Sequence, residues 1–247
     1  MIVVKDLFKK FNDNEVLKGL NLTVEKGETL VIVGRSGVGK SVLLKHILGI
    51  LKADKGTIDV DGSRISDLKG EALIQAVSEM GMLFQGSALF DSMNVEENVG
   101  FYLSEHQKLT SDEMEERVAE ALKMVDLDGV QKKMPSDLSG GMKKRAALAR
   151  LIVYRPQYLL YDEPTTGLDP ITAMHINELI VKTQKELKAT SIVVTHDIIS
   201  ALSIADRLAL HCDGKLTHIA KPEKFMQIDD PIIEFFRKTL TEDPKKL

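Results

Sequence analysis

The residues best placed to do chemistry lie in one short run. Gly34-Arg35-Ser36-Gly37-Val38-Gly39-Lys40-Ser41, followed by Val42, fits the pattern G-x-x-x-x-G-K-[ST]. Glycines in such a run let backbone N–H groups converge on phosphate oxygens, and a helix beginning there adds the partial positive charge of its N-terminus. Lys40 supplies a mobile cation for β and γ phosphates, and the Ser41 hydroxyl suits a Mg²⁺ ion bridging phosphate oxygens. A second candidate is Tyr158-Leu159-Leu160-Tyr161-Asp162-Glu163, an apolar strand ending in two carboxylates. Asp162 is placed to hold the water shell of the metal. Glu163, one residue on, is placed to polarise a water for in-line attack, which points to hydrolysis rather than transfer to another acceptor.

These groups need a strand to deliver the loop and a helix to follow it. Thr29 to Val33, after a turn at Lys26-Gly27, is an apolar run of the kind buried in a parallel sheet, and a helical pattern follows the glycines. Upstream, Ile2 to Phe11 and Val16 to Val24 flank Asn12-Asp13-Asn14 and predict an antiparallel hairpin. Thr57 to Val60, before Asp61-Gly62, predicts a further edge strand. From about Gly86 to Tyr154 the pattern is helical, with a Thr110/Glu113 capping box ahead of Met114, Val118, Leu122 and Val125. The strands Tyr158 to Tyr161 and Ser191 to Thr195, joined by a helix through Ile176 to Leu187, give the alternation of a parallel α/β sheet. Leu208 to Ile219 folds back at Asp213-Gly214 as a hairpin. Cys212 lies within it and reads as a small hydrophobe without a chemical role.

Composition sets the outer bounds. The 247 residues without an obvious linker suit one α/β domain with an insertion. With 33 basic and 37 acidic side chains and a net charge of −4, the chain lacks the basic surface of a general nucleic-acid binder. No apolar run approaches the ~20 residues of a bilayer span, and Val42 to Leu51 carries Lys45 and His46. The start, MIVVKDLFKK, lacks the shape of a cleavable signal, so a cytoplasmic location is expected. A single cysteine excludes an internal disulfide and a Cys-x-x-Cys zinc pair.

Leu138-Ser139-Gly140-Gly141-Met142 resembles the signature of ATP-binding cassette (ABC) ATPases, and the rest of that family's set is present in order. Gln85 matches the Q-loop, Asp162-Glu163 the Walker B end, Gly167-Leu168-Asp169 the D-loop and His196 the switch histidine. The resemblance implies an α/β P-loop NTPase (RecA-like) core with an antiparallel β subdomain and an inserted α-helical signature subdomain. It implies a single domain over 1–247, with 1–86 and 155–247 as nucleotide core and β subdomain and 87–154 as helical subdomain. By the same resemblance the cofactors are ATP and Mg²⁺. Phe11 would stack on adenine, Gly34, Arg35, Ser36, Gly37, Val38, Gly39, Lys40, Ser41 and Val42 would bind the nucleotide, and Ser41, Gln85 and Asp162 would serve the metal. Glu163 and His196 would be catalytic. Ser139, Gly140, Gly141 and Asp169 would act on the nucleotide of a second subunit. One phosphate loop and one signature imply a head-to-tail homodimer enclosing two ATP molecules.

Stretches outside the shared motifs narrow the resemblance. Met142 stands where glutamine is usual, within Met142-Lys143-Lys144-Arg145-Ala146-Ala147-Leu148-Ala149-Arg150, and the segment Met82 to Val95 agrees with it. These resemble the ATPase subunits of Mla and Mce-type phospholipid transporters. That resemblance implies a transmembrane permease of the MlaE kind as partner, an Mce-domain lipid-binding subunit of the MlaD kind reached indirectly, and room for a small regulatory subunit. It places the chain peripherally on the cytoplasmic face of the inner membrane, with no nucleic-acid partner. Two rival readings keep the chemistry: a conventional ABC importer or exporter for another solute, and a free-standing scaffold or assembly ATPase.

Some residues stay open. Leu83, Phe84, Ala88, Leu89, Phe90 and Met93 form an apolar cluster that reads equally as core packing or as a seat for a permease helix. Lys143, Lys144 and Arg145 read as a charged helix face in water, with anionic lipid or nucleotide as the alternative. His46, His106, His175, His211 and His218 show no metal-ligand spacing. Ile232, Ile233, Phe235, Phe236 and Leu240, before a charged tail, either cap the core or join two subunits.

Overall fold

The computed structural model describes residues 1–241, which divide into two compact units. The first comprises Met1–Asp67 and the chain from Val194 onward; the second is Leu68–Val193.

In the first unit, alternation along Ile2–Phe11 (β1) and Asn14–Val24 (β2) turns Ile2, Val4, Leu7, Leu20 and Leu22 inward and pairs the strands antiparallel. Thr29–Val33 (β3) is buried at every position and leads through the glycine-rich loop into Lys40–Ile47 (α1). Lys55–Val60 (β4) pairs with the free side of β1, and Ser63–Arg64 (β5) pairs with β4, giving the order β2-β1-β4-β5. The expected edge strand Thr57 to Val60 is therefore interior. The reason is local: Asp61 (φ 47°) and Gly62 (φ 85°) form a two-residue reversal that folds β5 back onto β4, with Arg64 Nε 3.1 Å from Asp59 Oδ1.

The second unit starts with Gly70–Val77 (α2) and Met80–Leu83 (β6). Three helices follow: Val95–His106 (α3), Ser111–Met124 (α4) and Gly140–Ile152 (α5), with α3 packed on α4 and α5. Both α3 and α4 open with capping boxes, Asn94/Glu97 and Thr110/Glu113. Tyr158–Asp162 (β7) is wholly buried and pairs parallel with β6. Pro170–Leu187 (α6) starts six residues before the expected Ile176, because Asp169 caps it and Pro170 fits its first position. Thr190–Thr195 (β8) is buried throughout, and the boundary between the units falls within it.

Back in the first unit, Ile198–Ile204 (α7) packs on β3. Arg207–Cys212 (β9) runs parallel to β3, and Lys215–Ala220 (β10) returns antiparallel to β9, as the hairpin pattern predicted. The chain continues through Pro222–Phe225 (α8) to Pro231–Thr241 (α9), which buries Ile233 and Phe236 and leaves Phe235 and Leu240 exposed. The charged tail beyond α9 lies outside the described residues. Among the described residues no helix is long and apolar enough to cross a membrane.

Candidate functional site

The first unit holds the phosphate loop at the end of β3. Gly39 caps α1 at φ 106°, and a Cβ there would stand 2.6 Å from Val16 Cγ1, so both conformation and space demand glycine. A Cβ at Gly34 would stand 2.6 Å from the His211 carbonyl oxygen. No side chain caps α1 and no acid lies in its first turn, which leaves the helix N-terminus electropositive. Lys40 is only 5% exposed, and its ammonium donates to the carbonyls of Gly34 (2.8 Å) and Arg35 (3.0 Å). Ser41, Val42 and Val38 are half-buried, while Arg35, Ser36 and Gly37 face solvent.

Two more of the expected residues, Phe11 and His196, belong to the first unit. Phe11, at the end of β1, is 40% exposed, with the Lys9 ammonium 5.4 Å from its ring centroid. His196 is exposed directly after β8. His211, unassigned from spacing, lies on β9 next to the loop, buried and with neither ring nitrogen hydrogen-bonded. Burial, reinforced by the charge of Lys40, pushes its pKa down to about 4. It is thus neutral at pH 7 and leaves Lys40 as the buried cation of the loop.

The second unit holds the carboxylates. Asp162 ends β7 and Glu163 follows it, both buried. Glu163 takes a left-handed backbone, φ 48°, which costs a non-glycine residue roughly 1 kcal/mol or more. The Thr166 hydroxyl donates to its Oε2 at 3.2 Å and orients the carboxylate. Neither the strained backbone nor the Thr166 contact is signalled by composition or periodicity.

Ser139 is the N-cap of α5, its hydroxyl accepting from the Met142 amide at 3.3 Å, and the helix begins at Gly140. Ser139 and Gly140 are exposed. A Cβ at Gly141 would stand 2.6 Å from Thr172 Cγ2 on α6. Asp169 accepts from the amides of Ile171 (3.1 Å) and Thr172 (3.0 Å) and from the Thr172 hydroxyl (2.6 Å). The Thr172 bonds hold its carboxyl below the usual range. Its carboxylate is therefore engaged in capping α6.

Lys144 departs from expectation. It is 4% exposed rather than part of a watery face, and its ammonium donates to the carbonyl of Gln85. Burial lowers its pKa, while Asp162 and Glu163 act in the opposite direction. The signal was present: Lys144, Leu148 and Leu151 fall at i, i+4 and i+7, the buried stripe of α5. Gln85 itself is exposed. The apolar cluster around it splits, with Leu83 in the core and Phe84 and Phe90 exposed. Those two rings, with Tyr102, Arg150, Leu151 and Tyr154, line a cleft of about 370 Å³.

The predicted site residues thus fall in two groups. Phe11, the stretch Gly34 to Val42 and His196 belong to the first unit; Gln85, Ser139, Gly140, Gly141, Asp162, Glu163 and Asp169 belong to the second. The first can bind anionic phosphate, and the second can polarise water and supply oxygen donors. Among the described residues no three His, Cys, Asp or Glu gather into a ready metal cage.

Comparison with known proteins bears on this arrangement. A family model described as ABC transporter matches residues 17–166. The probable ribonucleotide transport ATP-binding protein mkl of Mycobacterium tuberculosis is 38% identical over 235 residues, 95% of this chain and 66% of that protein. The chain thus spans slightly less than two thirds of the length of that relative. The intermembrane phospholipid transport system ATP-binding protein MlaF of Haemophilus influenzae is 41% identical over 244 residues, 99% of this chain and 92% of that protein. The dimeric post-hydrolysis structure of the ATP-binding cassette MJ0796 with ADP and Pi matches with a TM-score of 0.82 at 31% identity, covering 90% of this chain and 99% of that one.

Proposed function

The chain belongs to the ABC transporter family, and from that premise we propose that it is the ATP-hydrolysing subunit of a transporter moving phospholipid between inner and outer membranes. The observation that carries the ATPase reading is the electropositive phosphate loop around buried Lys40 in the first unit, and the buried Asp162-Glu163 at a strand end in the second supports it. The identity with MlaF, 41% over 99% of this chain, supports phospholipid as the cargo.

In this reading loop amides and Lys40 orient the phosphates, and Phe11 offers its open ring face to adenine. Ser41, Gln85 and Asp162 offer only hard oxygen donors, the set that suits Mg²⁺. When bound, that ion neutralises charge on the phosphate oxygens. Glu163, aimed by Thr166, orients a water; its oxygen bonds to the γ phosphorus as the bond to the bridging oxygen breaks, and Glu163 takes the proton. His196 positions the γ phosphate. Residues 1–86 and 155–247 act as the nucleotide core, and 87–154 as the helical subdomain.

The chain works as a homodimer, with Ser139, Gly140 and Gly141 of one copy closing over the ATP of the other and Asp169 setting the adjoining loop. The exposure of Ser139 and Gly140 and the dimeric, ADP-bound MJ0796 structure support this. A membrane-embedded permease seats on the cleft at Phe84 and Phe90, an Mce-domain subunit joins through it, and the assembly sits on the cytoplasmic face of the inner membrane. The mkl relative favours one rival, a transporter of another solute such as a ribonucleotide. Reconstitution with the permease in vesicles discriminates them. ATP turnover that rises with labelled phospholipid and moves it supports the proposal; stimulation by a ribonucleotide and none by lipid overturns the cargo.

A further inference from the structure

The loop from Phe84 to Phe90 has an unusual set of restraints. Ser87 and Ala88 both lie in the left-handed region, at φ 63° and 51°. Two successive non-glycine residues in that region cost energy that the surroundings must offset. At one end the loop begins with a tight turn, the Ser87 amide donating to the Phe84 carbonyl at 3.0 Å. At the other, buried Asn98 accepts from the Phe90 amide at 2.7 Å and donates to the carbonyls of Phe90, Met93 and Asn94.

Between these ends two cations of α5 reach the backbone. The Lys144 ammonium donates to the Gln85 carbonyl, and Arg150 Nη2 donates to the Ser87 carbonyl at 3.2 Å. Arg150 also lies over the Phe90 ring, 5.4 Å from its centroid. The Lys144 ammonium is buried on a neutral carbonyl, and taking a charge out of water is costly, offset in part by the charge-assisted bond. A neutral residue would fill the space without that cost. The cation therefore does something that packing alone does not require.

One helix connects these features. Ser139 caps its start, Lys144 lies little more than a turn further, and Ala147, Arg150 and Leu151 form a wall of the cleft. From Ser139 to Arg150 the rise is about 16 Å at about 1.5 Å per residue. We propose that Lys144 and Arg150 are positioning residues that clamp the Phe84 to Phe90 loop to α5 at two backbone carbonyls. The clamp fixes Gln85 relative to α5. Its kinetic consequence rests on the transporter reading above; the clamp itself is a property of this chain alone.

The test uses the full chain and two readouts. Amide hydrogen exchange followed by mass spectrometry reports the loop without any need for hydrolysis. Lys144→Gln and Arg150→Gln each speed exchange in peptides spanning 84–90 by roughly tenfold or more, and Lys144→Arg and Arg150→Lys restore it to within about threefold of wild type. Steady-state kinetics supply the second readout: Lys144→Gln lowers kcat by roughly tenfold while KM for ATP moves less than about threefold, the split expected of a residue acting through Gln85. Unchanged exchange in both glutamine variants overturns the clamp, as does failure of the conservative variants to rescue. If Lys144→Gln does not fold, Arg150→Gln, at the less buried position, decides by the same exchange readout. A wild-type chain that turns over no ATP would sink the functional reading, while the clamp would still be judged on exchange alone.

Discussion

Lys40 and Lys144 are both buried, at 5% and 4% exposure, and both donate to backbone carbonyls of a loop that leaves a strand. They differ in how far along the chain they reach. Lys40 holds Gly34 and Arg35, six and five residues away, within its own loop. Lys144 holds Gln85, 59 residues away, and Arg150 holds Ser87, 63 away. The first loop is thus shaped by its own glycines and lysine, and its carbonyl contacts can be exchanged for phosphate oxygens when an anion arrives. The second is held by another helix, which fixes where Gln85 stands.

The largest effect expected from breaking this contrast is at Lys40. Lys40→Met should weaken ATP binding by roughly a hundredfold or more, about 3 kcal/mol for a lost charge-assisted contact, measured by fluorescent-nucleotide titration. Lys144→Gln should leave that affinity within about threefold. Equal losses in the two variants would erase the distinction between a gripping loop and a clamped one.

His211 gives a pH test of the local loop. Its folded pKa of about 4 lies below the ~6.5 of an unfolded histidine, so between these values the unfolded chain binds more protons. Stability should therefore fall as pH drops through that window and level off below it, by up to about 3 kcal/mol at roughly 1.4 kcal/mol per pH unit. Urea unfolding of wild type and His211→Phe from pH 7 to 4 isolates the effect. The variant should show the shallower fall, and identical slopes would mean the imidazole is not held neutral beside Lys40.

Thr166→Val is the mildest change. Losing one hydrogen bond to Glu163, about 1 kcal/mol, should lower kcat by roughly fivefold and leave KM near wild type. A raised KM with unchanged kcat would place Thr166 in binding instead.

The same contrast explains what could be read from the chain. The phosphate loop, the buried strands β3 and β7, the capping box of α4 and the β9–β10 hairpin are local patterns, and the sequence shows each directly. The start of α6 was also legible in Asp169-Pro170, a cap followed by a first-turn proline, though apolar spacing alone pointed to Ile176. Lys144 lay on the apolar stripe of α5, yet its charged neighbours Lys143 and Arg145 suggested a solvent face. What could not be read depends on distant partners or on backbone torsions: the reach of Arg150 to Ser87, the left-handed Glu163, the Thr166 contact, and the short β5 that makes β4 interior. Pairings across some 60 residues leave no periodic trace.

In the proposed mechanism Glu163 drives hydrolysis within a nucleotide site completed by a second copy of the chain. Glu163→Gln, incubated with ATP and Mg²⁺, tests it by turnover, bound-nucleotide count and light-scattering mass measured on one sample. Turnover should fall by roughly 10²–10⁴-fold, with a stable dimer retaining two ATP molecules. Turnover at the wild-type rate, or a monomer that holds ATP without pairing, would contradict it.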